Sequence, residues 1–457
     1  MKSVTVKLGL SAAIIVLILA ALPFVGVTEQ EHEEVQGMVV DFGYWDVVWT
    51  EMDLTDEMDG YVALDILCGI RDYDYTILED GSVYTINDQS NLIGATWGFY
   101  TLSEGRWVEK DPSDKGLAGD SIICWARASG ADTVMPGADQ MGHSYYSYAD
   151  DGKSLRTGKD LRIVSLAPSV TETLCAVGGL GYIIGTDLYS NYPQEVVDRK
   201  EDGTISVIGG YIDPNYEWIV RLAPDLVFCD GGTGEHTAIA DKLRKSGIEC
   251  VVLWGSTDIG TLYDNIWMTA SALGKSENAN QLINDLQDSV DNVSGIAGET
   301  FKRTFVALSA DPSPWTSGSD TFMSDVIYSA GGINIFDSQS SSWFMVSKEQ
   351  IYKKQPRVIV VISSSIVSTQ EEYDAVLESL DPLWKSTPAY ENGDVYVFSG
   401  KAGDMLQRPG PRLSEAVELF CKIFNMQAFQ QLDPLDGIPK WFDDDYQYYL
   451  KYQKVRI

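Results

Sequence analysis

Positive charge is the first thing that this sequence lacks. Its 457 residues contain 33 Lys and Arg against 67 Asp and Glu, which gives a formal net charge of -34 at pH 7. A chain this acidic repels nucleic-acid backbones and anionic lipid surfaces. We therefore predict no nucleic-acid partner, and the length predicts two or three globular units.

Catalytic and metal-binding patterns are missing as well. The three histidines are isolated from one another, no Cys-x-x-Cys pair occurs, and neither Gly-x-Ser-x-Gly nor a phosphate-loop lysine is present. Schemes that need a Ser/His or Cys/His pair lack a base, and zinc or manganese lacks a ligand cluster. We predict that the protein is not an enzyme and has no metal site. Of the six cysteines, Cys68 and Cys124 are the pair to test for a disulfide, because both fall in the first domain.

Long apolar runs are rare, and the chain has one, from Leu8 to Val27. Lys2 and Lys7 precede it, its small-x-small cleavage site is poor, and no lipoprotein cysteine follows it. A positive end followed by such a run directs export and can span a bilayer. We predict that residues 1–36 are a signal or membrane anchor with a tether, with the anchor uncleaved. The rest of the chain then lies outside the cytoplasm, at the cell surface or in the periplasm.

Residues 37–148 have the pattern of a small α+β domain. Asp80 and Gly81 separate DYTIL from SVYTI, and SEG separates ATWGFYTL from RWVEK, so two hairpins are predicted. MDGYVALDILCGI has the spacing of a three-turn helix, and GDSIICWARA reads as a buried strand.

The residues WGFYTLSEGRW, followed by GDSIICWA, resemble the β-grasp domain related to the C-terminal part of transcobalamin. An unrelated small α+β module that serves as a spacer is the alternative. Residues 149–160 are polar, contain glycine and lack periodicity, so they are predicted to be a linker.

From residue 161 onward, short β-rich runs alternate with helical patterns, which predicts βαβ units and parallel sheets. The pattern also repeats. Glu217 lies seven residues before Pro224, Glu349 lies seven residues before Pro356, and a buried strand follows each proline. We predict an α/β fold with two Rossmann-like lobes, 161–257 and 301–430, joined by a long helix within 258–300. Residues 431–457 form an acidic aromatic tail.

Residues 161–429 resemble the helix-linked family of periplasmic binding proteins for vitamin B12, ferric siderophores and haem. The motifs that carry the resemblance, in the family's order, are RIVSLAPSVTETLCAVG, TDLYSNYP, YEWIVRLAPDLVF, WTSGSDTFMSDVIYSAGGINIF, VSKEQIYKKQPRVIVV and RPGPRLSEAVELF. The vitamin B12 binder is the most similar relative through Tyr189, Trp315 and Trp343. The resemblance implies a solute-binding protein that delivers a small-molecule metal chelate to the membrane subunits of an ABC importer. A cobalamin-like corrinoid is the favoured ligand, with no covalently bound cofactor.

The ligand of such a protein lies between the lobes, at loops that follow the strands. A corrin ring is flat and edged with amides, so it requires aromatic faces with backbone and hydroxyl donors. The candidate ligand-binding residues are Ser169, Tyr189, Tyr211, Asp230, Trp315, Ser317, Trp343 and Arg408. Asp230 departs from the vitamin B12 binder, which carries a tryptophan at that position of the cleft.

Three alternatives to a corrinoid remain open. Haem and anionic siderophores require several cationic partners, whereas Lys401, Arg408 and Arg412 are the only cationic cluster near the predicted cleft, and Arg412 is expected to be structural. A neutral or cationic iron siderophore is compatible with the pattern. A membrane-anchored scaffold or adhesion protein is the alternative from another functional class.

Glu217 and Glu349 match the two acids that dock this family onto arginines of the importer's membrane subunits. They occupy equivalent points of the two lobes and so suit a two-fold partner. Stabilisation of a helix start is the alternative, because an acid in the first turn is favoured by the helix dipole. The repeated Glu-to-Pro spacing favours docking.

Overall fold

The fold is given by a computed structural model of the chain. It describes residues 36–42, 47–91, 95–103, 106–120, 122–131, 134, 161–253, 257–339 and 341–455. Residues 1–35 and 149–160, which hold the predicted anchor, most of its tether and the linker, lie outside the described residues. Among the described helices, none combines the length and the apolar character needed to cross a membrane.

The first domain places one helix against a five-stranded mixed sheet. Its described elements are β1 (Gly37–Asp41), β2 (Val47–Glu51), α1 (Gly60–Arg71), β3 (Tyr75–Ile77), β4 (Val83–Ile86), β5 (Gln89–Ser90), β6 (Thr96–Ser103), β7 (Arg106–Glu109) and β8 (Ile122–Ala128). The sheet order is β2-β1-β8-β6-β7, with β1 parallel to β8. The predicted helix and both hairpins, β3–β4 and β6–β7, are confirmed. The likeness to a β-grasp domain stays a prediction.

Helix α1 and strand β8 explain why Cys68 and Cys124 are not bridged. Asp59 caps α1 by accepting from the backbone N–H of Val62 at 2.9 Å, and the indole of Trp125 on β8 donates to the Gly60 carbonyl at 2.9 Å. Because successive strand residues face opposite sides, Cys124 points away from the face that Trp125 turns toward the helix. Both cysteines are free thiols.

The N-terminal lobe is a parallel sheet with the order β11-β10-β9-β12-β13. Its elements are β9 (Ile163–Ser165), α2 (Pro168–Ala176), β10 (Ile183–Thr186), α3 (Gln194–Glu201), β11 (Ser206–Val207), α4 (Tyr216–Leu222), β12 (Leu226–Asp230), α5 (Gly234–Arg244) and β13 (Glu249–Leu253). The predicted βαβ alternation is confirmed, and every strand of this sheet ends toward the same edge.

Two helices follow the N-terminal lobe, α6 (Ile259–Ala272) and α7 (Ser276–Ala297). At about 1.5 Å per residue, the 22 residues of α7 span roughly 33 Å. One stripe of α7 is buried, including Ala279, Ile283 and Leu286, and the long helix is therefore held along its length. The predicted connector is confirmed.

The C-terminal lobe repeats the design with a parallel sheet in the order β16-β14-β18-β19-β20 and a two-stranded antiparallel ladder, β15–β17. Its elements are β14 (Lys302–Ala307), β15 (Trp315–Ser317), α8 (Phe322–Ser329), β16 (Gly332–Asn334), β17 (Trp343–Met345), α9 (Lys348–Lys354), β18 (Val358–Ile362), α10 (Gln370–Ser379), α11 (Pro382–Lys385), α12 (Pro388–Glu391), β19 (Val395–Phe398), α13 (Gly400–Gln407), α14 (Leu413–Leu432) and β20 (Trp441–Phe442).

The predicted tail packs onto this lobe, and we call residues 433–455 the C-terminal wrap. Strand β20 lies within it and pairs with β19, and the fully buried Lys422 of α14 pairs with Asp436 of the wrap at 3.0 Å. Near the end of the wrap, the Lys454 backbone N–H donates to the Ser289 hydroxyl of α7 at 2.9 Å. The wrap therefore connects the lobe's sheet edge to the connector.

Candidate ligand-binding cleft

The two lobes meet through loops and helices at the carboxyl ends of their strands. Asn191, after β10, donates to the Asp404 carboxylate on α13 at 2.8 Å. At the start of α6, the Ile259 backbone N–H donates to Asp325 on α8 at 3.0 Å. Parallel α/β sheets bind ligands at this edge, so the cleft of interest lies where these two edges face each other.

Aromatic side chains from both lobes stand at this edge. Tyr189, after β10, is 55% exposed, and Trp315, on β15, is 50% exposed. Trp343 on β17 is half-buried against Phe322, with ring centroids 5.7 Å apart. The register of the ladder puts Trp315 opposite Met345, which is also exposed. Each lobe therefore contributes at least one aromatic ring that solvent or a ligand can reach.

Polar groups beside the loop that carries Tyr189 hold it in place through hydrogen bonds to its backbone. The Asp187 carboxylate accepts from the backbone N–H of Tyr189 at 2.7 Å and of Ser190 at 3.1 Å. Burial raises the pKa of Asp187, while the Ser190 hydroxyl bond and the backbone bonds oppose the rise. Lys200 donates to the Ser190 carbonyl at 2.9 Å. These bonds restrict how far Tyr189 can move when a ligand binds.

Tyr211, Asp230 and His236 form a closed ring of hydrogen bonds. The Tyr211 hydroxyl donates to Asp230 Oδ2 at 2.8 Å, and the Asp230 backbone N–H donates to His236 Nδ1 at 3.1 Å. Because Nδ1 accepts, Nε2 carries the proton and donates to the Tyr211 carbonyl at 2.6 Å. Burial, followed by the charge of Asp230, raises the pKa of Tyr211, which keeps its phenol protonated as a donor. His236 is fully buried.

A small cavity of about 10 Å³ opens beside Asp230. Its wall comes from both lobes and consists of Ser169, Val170, Thr173, Asp230, Leu253, Asn265 and Pro409. Ser169, expected on a loop, lies in the first turn of α2. The cavity can admit one polar group the size of a water molecule, such as the NH₂ end of a carboxamide, and not a macrocycle.

Arg408 and Arg412 bind Glu172 across the lobes. Arg412 is buried and contacts the Glu172 carboxylate at 2.6 and 2.8 Å, and Arg408 contacts it at 3.1 Å. Arg408 also contacts the Asn191 side-chain oxygen at 2.6 Å and Asp404 at 3.0 Å. The expected structural role of Arg412 is confirmed. Arg408, a candidate ligand residue, is engaged by protein groups.

Glu415 connects the C-terminal wrap to the region where the two lobes meet. It accepts from the Tyr446 hydroxyl and, at 3.0 Å, from Gln447, whose amide also donates to the Tyr192 hydroxyl of the N-terminal lobe at 3.0 Å. Burial raises the pKa of Glu415 to about 7, although Tyr446 and Arg412 oppose the rise.

Ser317 is covered, although it lies only two residues after the exposed Trp315 on β15. It is 1% exposed, its hydroxyl accepts from the Asn334 amide at 3.4 Å, and its carbonyl accepts from the same amide at 3.1 Å. The structure therefore brings Tyr189, Trp315, Tyr211 and Asp230 to accessible positions and leaves Ser317 covered.

Glu217 and Glu349 occupy matching places on α4 and α9. Each is the second residue of a seven-residue helix, after the caps Asn215 and Ser347, and each is exposed. Both helices end at a left-handed residue, Ala223 (φ 46°) and Gln355 (φ 49°), before the proline. The caps satisfy the helix ends, so the two acids are not needed for that purpose.

Two residues of the site carried little sequence signal. Glu172 lies in the first turns of α2, and nothing near it in the chain indicates its arginine partners, which lie more than two hundred residues away. His236 is isolated in the sequence from the other histidines and does not form a ligand or catalytic pattern. A histidine one helical turn after a strand that ends in Asp is the signal that was available. Among the described residues, no cluster of three or more His, Cys, Asp or Glu suits a metal ion.

Comparison with known proteins agrees with this architecture. The model of the family described as periplasmic binding protein matches residues 163–402. The chain is 28% identical over 275 residues to the ABC transporter substrate-binding lipoprotein YvrC of Bacillus subtilis (strain 168), which covers 59% of this chain and 82% of that protein. It is 29% identical over 216 residues to the vitamin B12-binding protein of Yersinia pestis (strain Pestoides F), covering 47% and 72%. A periplasmic haem-binding protein from Pseudomonas aeruginosa superposes with a TM-score of 0.50 at 20% identity, covering 58% and 92%, which is a likeness of fold alone.

Proposed function

The chain belongs to the periplasmic binding protein family, and from this premise we propose that it captures a cobalamin-like corrinoid for an ABC importer. The lipoprotein relative is named as a substrate-binding component of an ABC transporter, which supports the transport role. The corrinoid is supported by the relative named as a vitamin B12-binding protein. No covalent chemistry is proposed, because binding and release are the whole activity.

One observation supports the corrinoid proposal above the others. The cleft has exposed aromatic rings, and its arginines are already neutralised by a glutamate of the protein. Tyr189 and Trp315 offer ring faces from opposite lobes. Arg408 and Arg412 are both bound to Glu172, so neither is free to neutralise a ligand carboxylate. A flat, amide-edged macrocycle suits such a cleft better than haem, whose two carboxylates require cationic partners.

Delivery requires a second surface, which we propose is formed by Glu217 and Glu349. Both acids are exposed, and in the described part of the chain neither forms an ion pair. Their equivalent positions on α4 and α9 suit a partner with two-fold symmetry, such as a pair of membrane subunits that present arginines. We further propose that the apolar segment before residue 28 holds the protein at the outer side of the membrane.

Titration with cyanocobalamin, followed by tryptophan fluorescence, tests the proposal. We expect saturable quenching, because Trp315 and Trp343 lie at the cleft edge. Trp315→Phe should reduce the quenching amplitude, while Trp218→Phe, a control on the exposed face of α4, should leave the dissociation constant unchanged. Haemin and a neutral ferric hydroxamate siderophore are titrated in parallel. Saturable binding of either one, without cyanocobalamin binding, would replace the corrinoid; absence of all binding would favour a scaffold.

A further inference from the structure

The ring formed by Tyr211, Asp230 and His236 has a carboxylate that is only partly satisfied. Asp230 Oδ1 accepts from the Gly232 backbone N–H at 2.8 Å, and Oδ2 accepts from Tyr211. A carboxylate offers about four acceptor positions, so roughly two remain. Within the described residues no lysine or arginine forms a salt bridge with Asp230, a residue of the cavity wall between the lobes.

A carboxylate acceptor without a neighbouring cation favours ligand groups that donate a hydrogen bond and disfavours anionic groups. It can bind an amide N–H, a hydroxyl or an ammonium group, whereas a ligand carboxylate placed there meets a like charge with no neighbouring cation. The Tyr211 phenol does not reverse this preference, because its proton already points to Asp230. Asn265, the amide side chain of the cavity wall, has both an acceptor and donors and so does not oppose a donor group.

His236 makes the arrangement rigid. Its two ring nitrogens hold the end of β12 at Asp230 and the loop at Tyr211, and its ring packs edge-on against the Tyr211 ring at 5.1 Å. Since His236 is fully buried, neither bond is exchanged with solvent. The acceptor is therefore in place before any ligand arrives.

We infer that Asp230 and Tyr211 form the subsite that selects ligands presenting a hydrogen-bond donor, and that His236 is its positioning residue. This inference rests on the proposed function and names the recognised group, a peripheral carboxamide of the corrinoid. Its amide N–H donates to Asp230 within the small cavity. A corrinoid with a carboxylate at that position is bound more weakly.

The test compares cyanocobalamin with its isomeric monocarboxylic acid derivatives, in which one peripheral carboxamide is replaced by a carboxylate. Wild-type protein should bind at least one isomer about tenfold more weakly than cyanocobalamin, as expected for loss of one charge-assisted hydrogen bond. In Asp230→Asn, whose amide can donate to a carboxylate, the ratio of the two dissociation constants should fall toward one. Glu235→Gln, which removes the same charge from the exposed first turn of α5, should keep the wild-type ratio.

The outcomes separate the subsite from the proposed function. An unchanged ratio in Asp230→Asn, with cyanocobalamin still bound, overturns the subsite alone. Absence of cyanocobalamin binding to the wild type overturns the corrinoid assignment and the subsite with it. His236→Gln should lower the ratio while circular dichroism shows a folded protein. A His236→Gln variant that melts earlier but keeps the ratio would show that His236 only supports the fold.

Discussion

At the residue scale, one carboxylate, that of Glu172, accepts from two arginines of the opposite lobe. Its side chain and that of Arg412 are both 1% exposed. A buried pair of this kind adds little net stability compared with apolar residues, but losing one partner leaves an uncompensated charge in the interior. The pair therefore fixes how the lobes meet more than how strongly each one folds.

Arg412→Met tests this reading. We expect the free energy of unfolding, measured by urea titration, to fall by up to about 3–5 kcal/mol, because Glu172 loses both hydrogen bonds from Arg412 and keeps only its contact with Arg408. The double variant Glu172→Gln with Arg412→Met should recover part of that loss, since it removes a buried charge that Arg408 alone compensates only in part. Equal losses in the single and double variants would contradict the role given to this pair.

Glu415 gives the stability a dependence on pH. Its pKa in the folded protein is raised to about 7, from 4.5 for an ordinary glutamate, chiefly by burial. The folded state therefore binds the proton more tightly, and the associated stability is present at low pH and lost as pH rises through about 7. The free energy of unfolding, wild type minus Glu415→Gln, should fall by on the order of 1–3 kcal/mol between pH 5 and 7.5. Glu371→Gln, an exposed acid, serves as the control; an equally sloped difference there would contradict the assignment.

At the element scale, α4 and α9 are matching helices that carry the two acids proposed to dock onto the membrane subunits. Glu217→Arg combined with Glu349→Arg should abolish uptake in cells while the dissociation constant of the ligand stays unchanged. Glu371→Arg is the matched control, because Glu371 also occupies the second position of an exposed, side-chain-capped helix, α10. Loss of ligand affinity in the double variant would assign these acids to the cleft or the fold.

The helices and parallel sheets were predictable because each has a local signal. The Glu-to-Pro repeat gave both α4 and α9, and the apolar spacing of 276–297 gave α7. The C-terminal wrap was not predictable, because β20 has two residues and no periodicity. Its place is fixed by long-range contacts, such as that of Asp436 with Lys422.

Single residues of the site were predictable from the sequence, whereas the contacts between the two lobes were not. Tyr189 and Trp315 were predicted at the cleft from their position after strands, although Trp315 lies on the short strand β15 and not on a loop. Ser317 was expected at the cleft as well, but it is buried and bonded to the amide of Asn334. Strand alternation gives Ser317 the same face as the exposed Trp315 and so does not predict this burial. The ion pairs of Glu172 with Arg408 and Arg412 join residues that only the folded chain brings together.

At the scale of the whole molecule, the lobes are joined by α7 and by direct contacts such as Asn191 with Asp404. We expect little relative movement when a ligand binds. Spin labels at Glu201→Cys and Glu378→Cys, one exposed site on each lobe, should report a change of less than roughly 5 Å on addition of cyanocobalamin. The native thiols should not interfere, since burial raises the pKa of Cys175 to about 12. A shift several times larger would contradict the stiff connection.

The C-terminal wrap has a practical consequence for engineering. Because the Lys454 backbone N–H donates to Ser289 on the long helix α7, a fluorescent protein fused just after residue 455 starts beside that helix. The orientation of such a reporter would follow any bending of α7. A fusion at this position can therefore report strain in the connection between the lobes.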